Sequence, residues 1–305
     1  MLSLSWNQGQ QWYALKEPIS MLRLGAINDE LSPNFERALD LAVNLGIQEI
    51  EIHTVGRKVI EELEPAEVRR VQQELAQRQL HVCNISSTIF LRCHLDDRDE
   101  EIPWRSAFRS IKGRYADHLR GLEHALEIAQ MLQAPLVRIF GFWQDGPLSE
   151  AVYEQVAGRL ARPLQMAQLA GIPLALENCP HTWLDWGQRA ARLVEMIDSP
   201  WLRLLWDPCS GVRSGEPDVL AAYAQISRHL AHVHAKDLRF DPASKRGHIY
   251  VPIGQGQVDW RSILAMLQAD GYQGVVCIET HHLGPDGAKE SAAIATYNGL
   301  KEILS

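Results

Sequence analysis

Short runs of apolar and β-branched residues alternate with longer stretches in which apolar positions recur every three or four residues. The alternation repeats eight times along the chain. The runs at 21–27, 48–53, 81–86, 136–140, 173–177, 203–207, 231–235 and 274–279 read as buried strands. The patterns at 33–45, 65–78, 117–132, 149–170, 186–197, 217–228, 260–269 and 288–304 read as helices. Strands joined by crossover helices make parallel sheets, and eight such units close a ring. The expected architecture is therefore a single (β/α)8 TIM barrel of the α/β class over 21–305. Glycine follows the helical patterns at Gly46, Gly171 and Gly271, where a left-handed residue stops a helix before the next strand.

With 305 residues, 46% of them hydrophobic, the chain can bury one large core, so one domain is expected. The surplus lies in an N-terminal extension, 1–20, and in a charged insert, 91–114, where rim loops collect insertions. The extension lacks the basic start and apolar core of a signal peptide. No stretch approaches the ~18 apolar residues of a membrane span, so a soluble cytoplasmic protein with no membrane partner is expected. A net charge of −8, with cations interspersed among acids everywhere except 98–114, argues against nucleic acid as a partner. Five cysteines without a C-x-x-C pair read as free thiols in a reducing compartment.

Candidate chemistry stands where the strands run out. Glu177, Asp207 and Glu279 follow or end apolar runs, and His234 lies within one. In a parallel barrel each strand delivers its last inward side chain to the same rim, so four consecutive strands can converge on one ion. A lone glutamate at a strand end is ordinarily solvated or paired with a lysine, but four such residues with apolar flanks need a compensating cation. Three carboxylates and an imidazole form a hard set suited to one divalent ion, Mn²⁺ or Mg²⁺ first and Co²⁺ or Zn²⁺ next. Side chains two apart share a face, so His232, His234 and Lys236 point inward, while Ala175, Leu205 and Cys277 form the layer below. His232 is expected as a hydrogen-bonded core histidine, with support of His234 as the alternative.

The stretches LALEN (174–178), WDP (206–208), HVHAKD (232–237), PIGQGQVDW (252–260) and CIE (277–279), in this order, resemble the xylose isomerase-like barrel superfamily of sugar phosphate isomerases and epimerases. The resemblance covers roughly 22–304. It implies that Glu177, Asp207, His234 and Glu279 bind one divalent cation, and that the superfamily's range applies: ketose epimerases, inosose and dehydroshikimate dehydratases, and an endonuclease branch. After the metal Asp, relatives often carry His or Asn three residues on, whereas this chain has Ser210.

A Lewis-acidic ion would stabilise the enediolate formed when the carbon beside a carbonyl loses its proton, with Glu177 and Glu279 as acid/base pair on opposite faces. Lys236 at the rim is a candidate for a substrate carboxylate, phosphate or hydroxyl, against a salt bridge to Asp237 or a rim acid. Arg138, His181, Trp183, Ser210 and Arg246 are further candidates for substrate contact, the last beside a glycine-bearing stretch, 247–255, suited to a mobile rim loop. The leading expectation is a metal-dependent isomerase or epimerase of a small carbohydrate-like substrate, and a homo-oligomer is compatible with it. The alternatives are a dehydratase of a keto-cyclitol or dehydroshikimate-like ring, a non-catalytic sugar-binding barrel, and a DNA-repair endonuclease. The endonuclease would need more metal ligands and a basic groove, and neither is legible.

Overall fold

The computed structural model describes residues 22–104 and 108–305. The expected extension, 1–20, lies outside the described residues. Eight strands close a barrel: β1 (Arg23–Ile27), β2 (Glu49–Ile52), β3 (His81–Ile85), β4 (Val137–Phe140), β5 (Leu174–Glu177), β6 (Leu202–Trp206), β7 (Leu230–Ala235) and β8 (Val275–Ile278). Each pairs in parallel with its neighbours in chain order, and β8 returns to β1 through the register Arg23 to Val275. The eight expected strands are all present, displaced by no more than two residues at either end. Around them lie α1 (Phe35–Leu45), α2 (Pro65–Gln77), α3 (Tyr115–Leu132), α4 (Glu150–Ala170), α5 (Gly187–Ile197), α6 (Tyr223–Ile226), α7 (Trp260–Ala269) and α8 (Lys289–Leu304).

Gly46 and Gly171 take φ of 75° and 71° and close α1 and α4, as the punctuation requires. α4 runs through Pro163, whose ring leaves the carbonyl of Arg159 without its helical partner. The Tyr115 hydroxyl donates to that carbonyl at 2.5 Å and so ties α4 to α3.

The helix expected at 217–228 shrinks to the single turn α6, followed by a 3-10 turn at Ser227–His229. The polar start of the segment is used elsewhere. Asp218 accepts the Ala221 N–H at 2.8 Å, while Glu216 accepts the N–H groups of Gly187 and Gln188 at 3.2 and 3.0 Å. Glu216 thereby caps the start of α5 from outside, since Trp186 has no side chain that can do so. A short helix at Pro208–Arg213, not expected from the sequence, instead begins directly after β6, capped by Asp207.

The stretch at 247–255 is also different from expectation. His248–Val251 forms an antiparallel hairpin with Asp237–Phe240, and the following turn is fixed rather than loose. The Asp237 carboxylate accepts four backbone N–H groups, from Leu238, Gly254, Gly256 and Val258, at 2.9–3.1 Å. A methyl group on Gly256 would lie 2.1 Å from Asp237 Oδ1 and 2.5 Å from the Leu238 carbonyl, so only glycine permits the approach. The Trp260 indole completes the brace by donating to the Lys236 carbonyl at 3.0 Å. This network explains the spacing between HVHAKD and PIGQGQVDW: it locks the chain leaving β7 and with it the backbone of Lys236. Gly256→Ala is expected to lower stability by about 1–3 kcal/mol through overpacking, measurable by denaturant unfolding.

Candidate active site at the mouth of the barrel

At the C-terminal ends of the strands the barrel opens into a cavity of about 780 Å³. Its floor carries the four strand-end residues. Glu177 ends β5, Asp207 follows β6, His234 lies in β7 and Glu279 follows β8, and all four are buried. One ligand atom from each lies within 4.8 Å of those of the other three. Ala175, Leu205 and Cys277 are fully buried in the layer below.

His234 Nδ1 faces Glu177 Oε1 and Glu279 Oε2, each at 3.3 Å. Its Nε2 is turned the other way, 3.1 and 3.2 Å from the two oxygens of Glu51. Glu51 also meets His232 Nε2 at 2.8 Å and accepts from the Asn84 amide at 3.1 Å. His232 is thus a hydrogen-bonded histidine one layer down, as expected. Glu51 was missed because a Glu-Ile-Glu-Ile strand, whose first glutamate pairs with Arg23, looks like ordinary alternation. The inward parity of Glu51 with the histidines of β7 was the available signal.

Two fixed cations complete the floor. Arg138 donates from Nη1 to Glu177 Oε2 at 3.1 Å and from Nε and Nη2 to the carbonyls of Ser87 and Ser86, fully enclosed. Lys236 Nζ lies 2.6 Å from both Asp207 Oδ2 and Glu279 Oε2. Of the expected uses of Lys236, the geometry realises the salt bridge to rim acids. Asp237, bound to backbone N–H groups, is not its partner, and the ammonium is not free to seize a substrate anion. His281, unremarked in the sequence, places Nε2 2.9 Å from Glu279 Oε1. Ser210 donates both N–H and hydroxyl to Asp207, at 2.8 and 2.6 Å, and faces the cavity.

Burial dominates the electrostatics. It would raise Glu279, but Lys236, then His281 and His234, outweigh it and hold this carboxyl well below the ordinary range. Burial likewise pushes the other way on Lys236, yet Asp207 and Glu279 keep its ammonium well above the usual lysine value. Asp207 is raised, by burial first and then by Glu279 and Glu177, against the pull of Lys236. Four buried carboxylates (Glu51, Glu177, Asp207, Glu279) face two buried cations, Arg138 and Lys236. Burial lowers His234, but Glu51, Glu177 and Glu279 outweigh it and push the imidazole well above its ordinary value, the mark of an excess of negative charge that one divalent cation would offset. The donor set therefore fits a hard divalent ion, and Glu51 would fix the histidine tautomer that presents Nδ1 to it.

Above the floor, the insert supplies Leu91, Pro103, Trp104 and Phe108 to one wall, with Phe140 and Trp143. The cavity is also lined by the polar residues Arg213, Arg246, His248, Tyr250 and His281. His181 lines the cavity with φ of 72°, its ring stacked 5.7 Å from Trp143. Trp183 does not line it. Its ring is packed into the hydrophobic core against Gly146, and the Trp183 backbone N–H is held by the Phe142 carbonyl at 3.2 Å.

The family model for the xylose isomerase-like TIM barrel matches residues 39–297, and the chain belongs to that family. Among curated relatives, the inosose dehydratase of Lacticaseibacillus casei is 25% identical over 275 residues, covering 84% of this chain and 87% of the relative. Solved structures with the same fold include the IOLI protein with a bound zinc atom (TM-score 0.72, 17% identity, covering 93% of this chain and 98% of that one). The probable 3-DHS dehydratase AsbF of Bacillus anthracis has a TM-score of 0.67 at 17% identity, with 93% and 99% covered. The 3-keto-D-glucoside 4-epimerase YcjR of E. coli has a TM-score of 0.66 at 18% identity, with 93% and 99% covered. Of these, two are named as dehydratases and one as an epimerase. Among the described residues no helix is long and apolar enough to cross a membrane.

A divalent cation that binds only the folded state at ~100 times its dissociation constant adds about 2.7 kcal/mol of stability. Mn²⁺ or Mg²⁺ is therefore expected to raise the melting temperature and EDTA to lower it, in differential scanning calorimetry. Glu51→Gln is expected to weaken metal binding by roughly 10–100-fold in isothermal titration, since it disrupts the orientation of His234 without removing a ligand.

Proposed function

We propose that the protein is a divalent-metal-dependent dehydratase that removes water from a ring ketone of the keto-cyclitol or dehydroshikimate type. Similarity to an inosose dehydratase along most of both chains supports this alternative over the isomerase or epimerase expected first. The observation that carries the reading is the placement of protons on the floor. Epimerisation by two glutamates needs one of them to carry a proton, and Lys236, His281 and His234 outweigh burial and hold Glu279 well below the ordinary carboxyl range. Here Glu177 Oε2 is engaged by Arg138 and Glu279 Oε1 by His281, and the remaining oxygen of each faces His234. Lys236, whose ammonium lies 2.6 Å from Asp207 and Glu279, is a proton-bearing group that stands beside these bases and lines the cavity.

Held by Glu177, Asp207, His234 and Glu279, a divalent cation would supply Lewis-acid polarisation of the substrate carbonyl. Glu177 takes the proton from the carbon beside that carbonyl. Lys236 gives a proton to the hydroxyl one carbon further on, the C–O bond breaks, a C=C bond forms, and water leaves. Arg138 keeps Glu177 aimed, because its other N–H groups are fixed by two carbonyls of the chain after β3. The enclosed floor keeps bulk water from competing for either proton.

Incubation with Mg²⁺ in D₂O, followed by proton NMR on an inosose and on 3-dehydroshikimate, tests the assignment. The wild type is expected to release water from one of the two. Lys236→Met is expected to lower water release by ~10²-fold or more while deuterium still enters the carbon beside the ketone, and Glu177→Gln to abolish both. Formation of an epimer with no loss of water by the wild type would return the site to the isomerase reading.

A further inference from the structure

The cavity walls hold charges that the floor chemistry does not use. Three carboxylates line the cavity, and each has its own cation: Glu177 has Arg138, Glu279 has Lys236, and Asp185 has Arg189 at 2.6 Å. The converse does not hold. Arg213 and Arg246 line the same cavity, and among the described residues neither forms an ion pair. On a chain with a net charge of −8, two guanidiniums without ion pairs lining this cavity make a local field of the opposite sign.

Arg213 is held in place by neutral partners. Nη1 donates to the Tyr250 hydroxyl and Nη2 meets His181 Nε2, both at 3.2 Å. Burial and then Arg213 itself lower His181, and burial, Arg213 and Arg246 lower His248, so neither imidazole competes as a cation. Only two of the guanidinium's N–H donors are used in these contacts, and Tyr250, having accepted one, keeps its own proton to donate. Arg213 also has a fixed relation to the floor. Ser210 binds Asp207, and positions 210, 213 and 214 all line the cavity, one turn apart on the short helix that Asp207 caps. Three residues of helix advance ~4.5 Å, the scale of a six-membered ring.

We infer that Arg213, steadied by Tyr250 and His181 and reinforced by Arg246, is a carboxylate subsite, so that the substrate is a ring ketone bearing a carboxylate at the edge away from the floor. The inference rests on the dehydratase reading of the same site and selects an acidic ring over a neutral cyclitol. The planar guanidinium edge matches the two oxygens of a carboxylate. Trp104, Phe140 and Trp143, which line the same cavity, suit the apolar face of a flattened ring.

Two probes with the same vicinal hydroxyls, 3,4-dihydroxybenzoate and catechol, differ only in the carboxylate and are to be titrated calorimetrically with Mg²⁺ present. The wild type is expected to prefer dihydroxybenzoate by roughly 10–100-fold. Arg213→Met is expected to bring the two affinities together by weakening dihydroxybenzoate alone, and Arg213→Lys to keep part of the preference. Absence of a preference in the wild type, survival of the full preference in Arg213→Met, equal loss of both probes, or no binding of dihydroxybenzoate at millimolar concentration would each overturn the subsite. The NMR assay separates the two ideas. Water release from an inosose without a carboxylate preference leaves the dehydratase reading and sinks the subsite. An Arg213-dependent preference with no water release from either ring does the reverse.

Discussion

The constraint on which this structure turns is the burial of negative charge. Four carboxylates are removed from water at one end of a barrel whose interior is otherwise filled by Ala175, Leu205, Cys83 and Cys277. Such burial is tolerated only with compensation, and the compensation dictates the surroundings. Arg138 is fixed by two carbonyls so that its guanidinium reaches Glu177. Lys236 is fixed by the brace of Asp237, the glycine turn and Trp260 so that its ammonium reaches Asp207 and Glu279. Glu51 links two histidines of one strand, so the second layer of the barrel orients the first.

From this follows a division of labour between strands and loops. The strands carry the groups whose positions must hold to within a hydrogen bond, and the connections after them carry the groups that meet the outer parts of a substrate. The insert after β3 provides an aromatic wall, and the segments after β6 and β7 provide a cationic one. Two non-glycine residues with positive φ line the same cavity: His281 at 56° as well as His181. His281 is held there by its N–H bond to Glu30 and its ring contact with Glu279, contacts that offset the cost of a left-handed histidine.

The same arrangement separates reactions that one family performs on one scaffold. Epimerisation and dehydration both begin with loss of the proton beside a carbonyl, and they differ in which group returns a proton and to which atom. Arg138 and His281 engage the carboxylates and Lys236 stands beside them, the arrangement on which the proposed dehydration rests.

The chain itself determined the barrel and the four residues at its strand ends. Apolar runs and helical periodicity are local properties of the sequence, and the ends of parallel strands meet wherever such a ring closes. Parity along β7 likewise placed His232, His234 and Lys236 on one inner face. What it could not determine were contacts between residues far apart in the chain. Glu51 and His234 are separated by 183 positions, and Arg213 meets Tyr250 only because a six-residue helix and a hairpin fold over the same opening. The sequence could offer Lys236 as a hand for a substrate anion, but its ammonium lies between two acids that reach it from other strands. The reduced helix before β7 and the buried Trp183 have a similar origin, since hydrogen bonds and packing with distant segments overrode local propensity. Local pattern fixes which face a side chain points to; which charge it then meets is decided by the closing of the barrel.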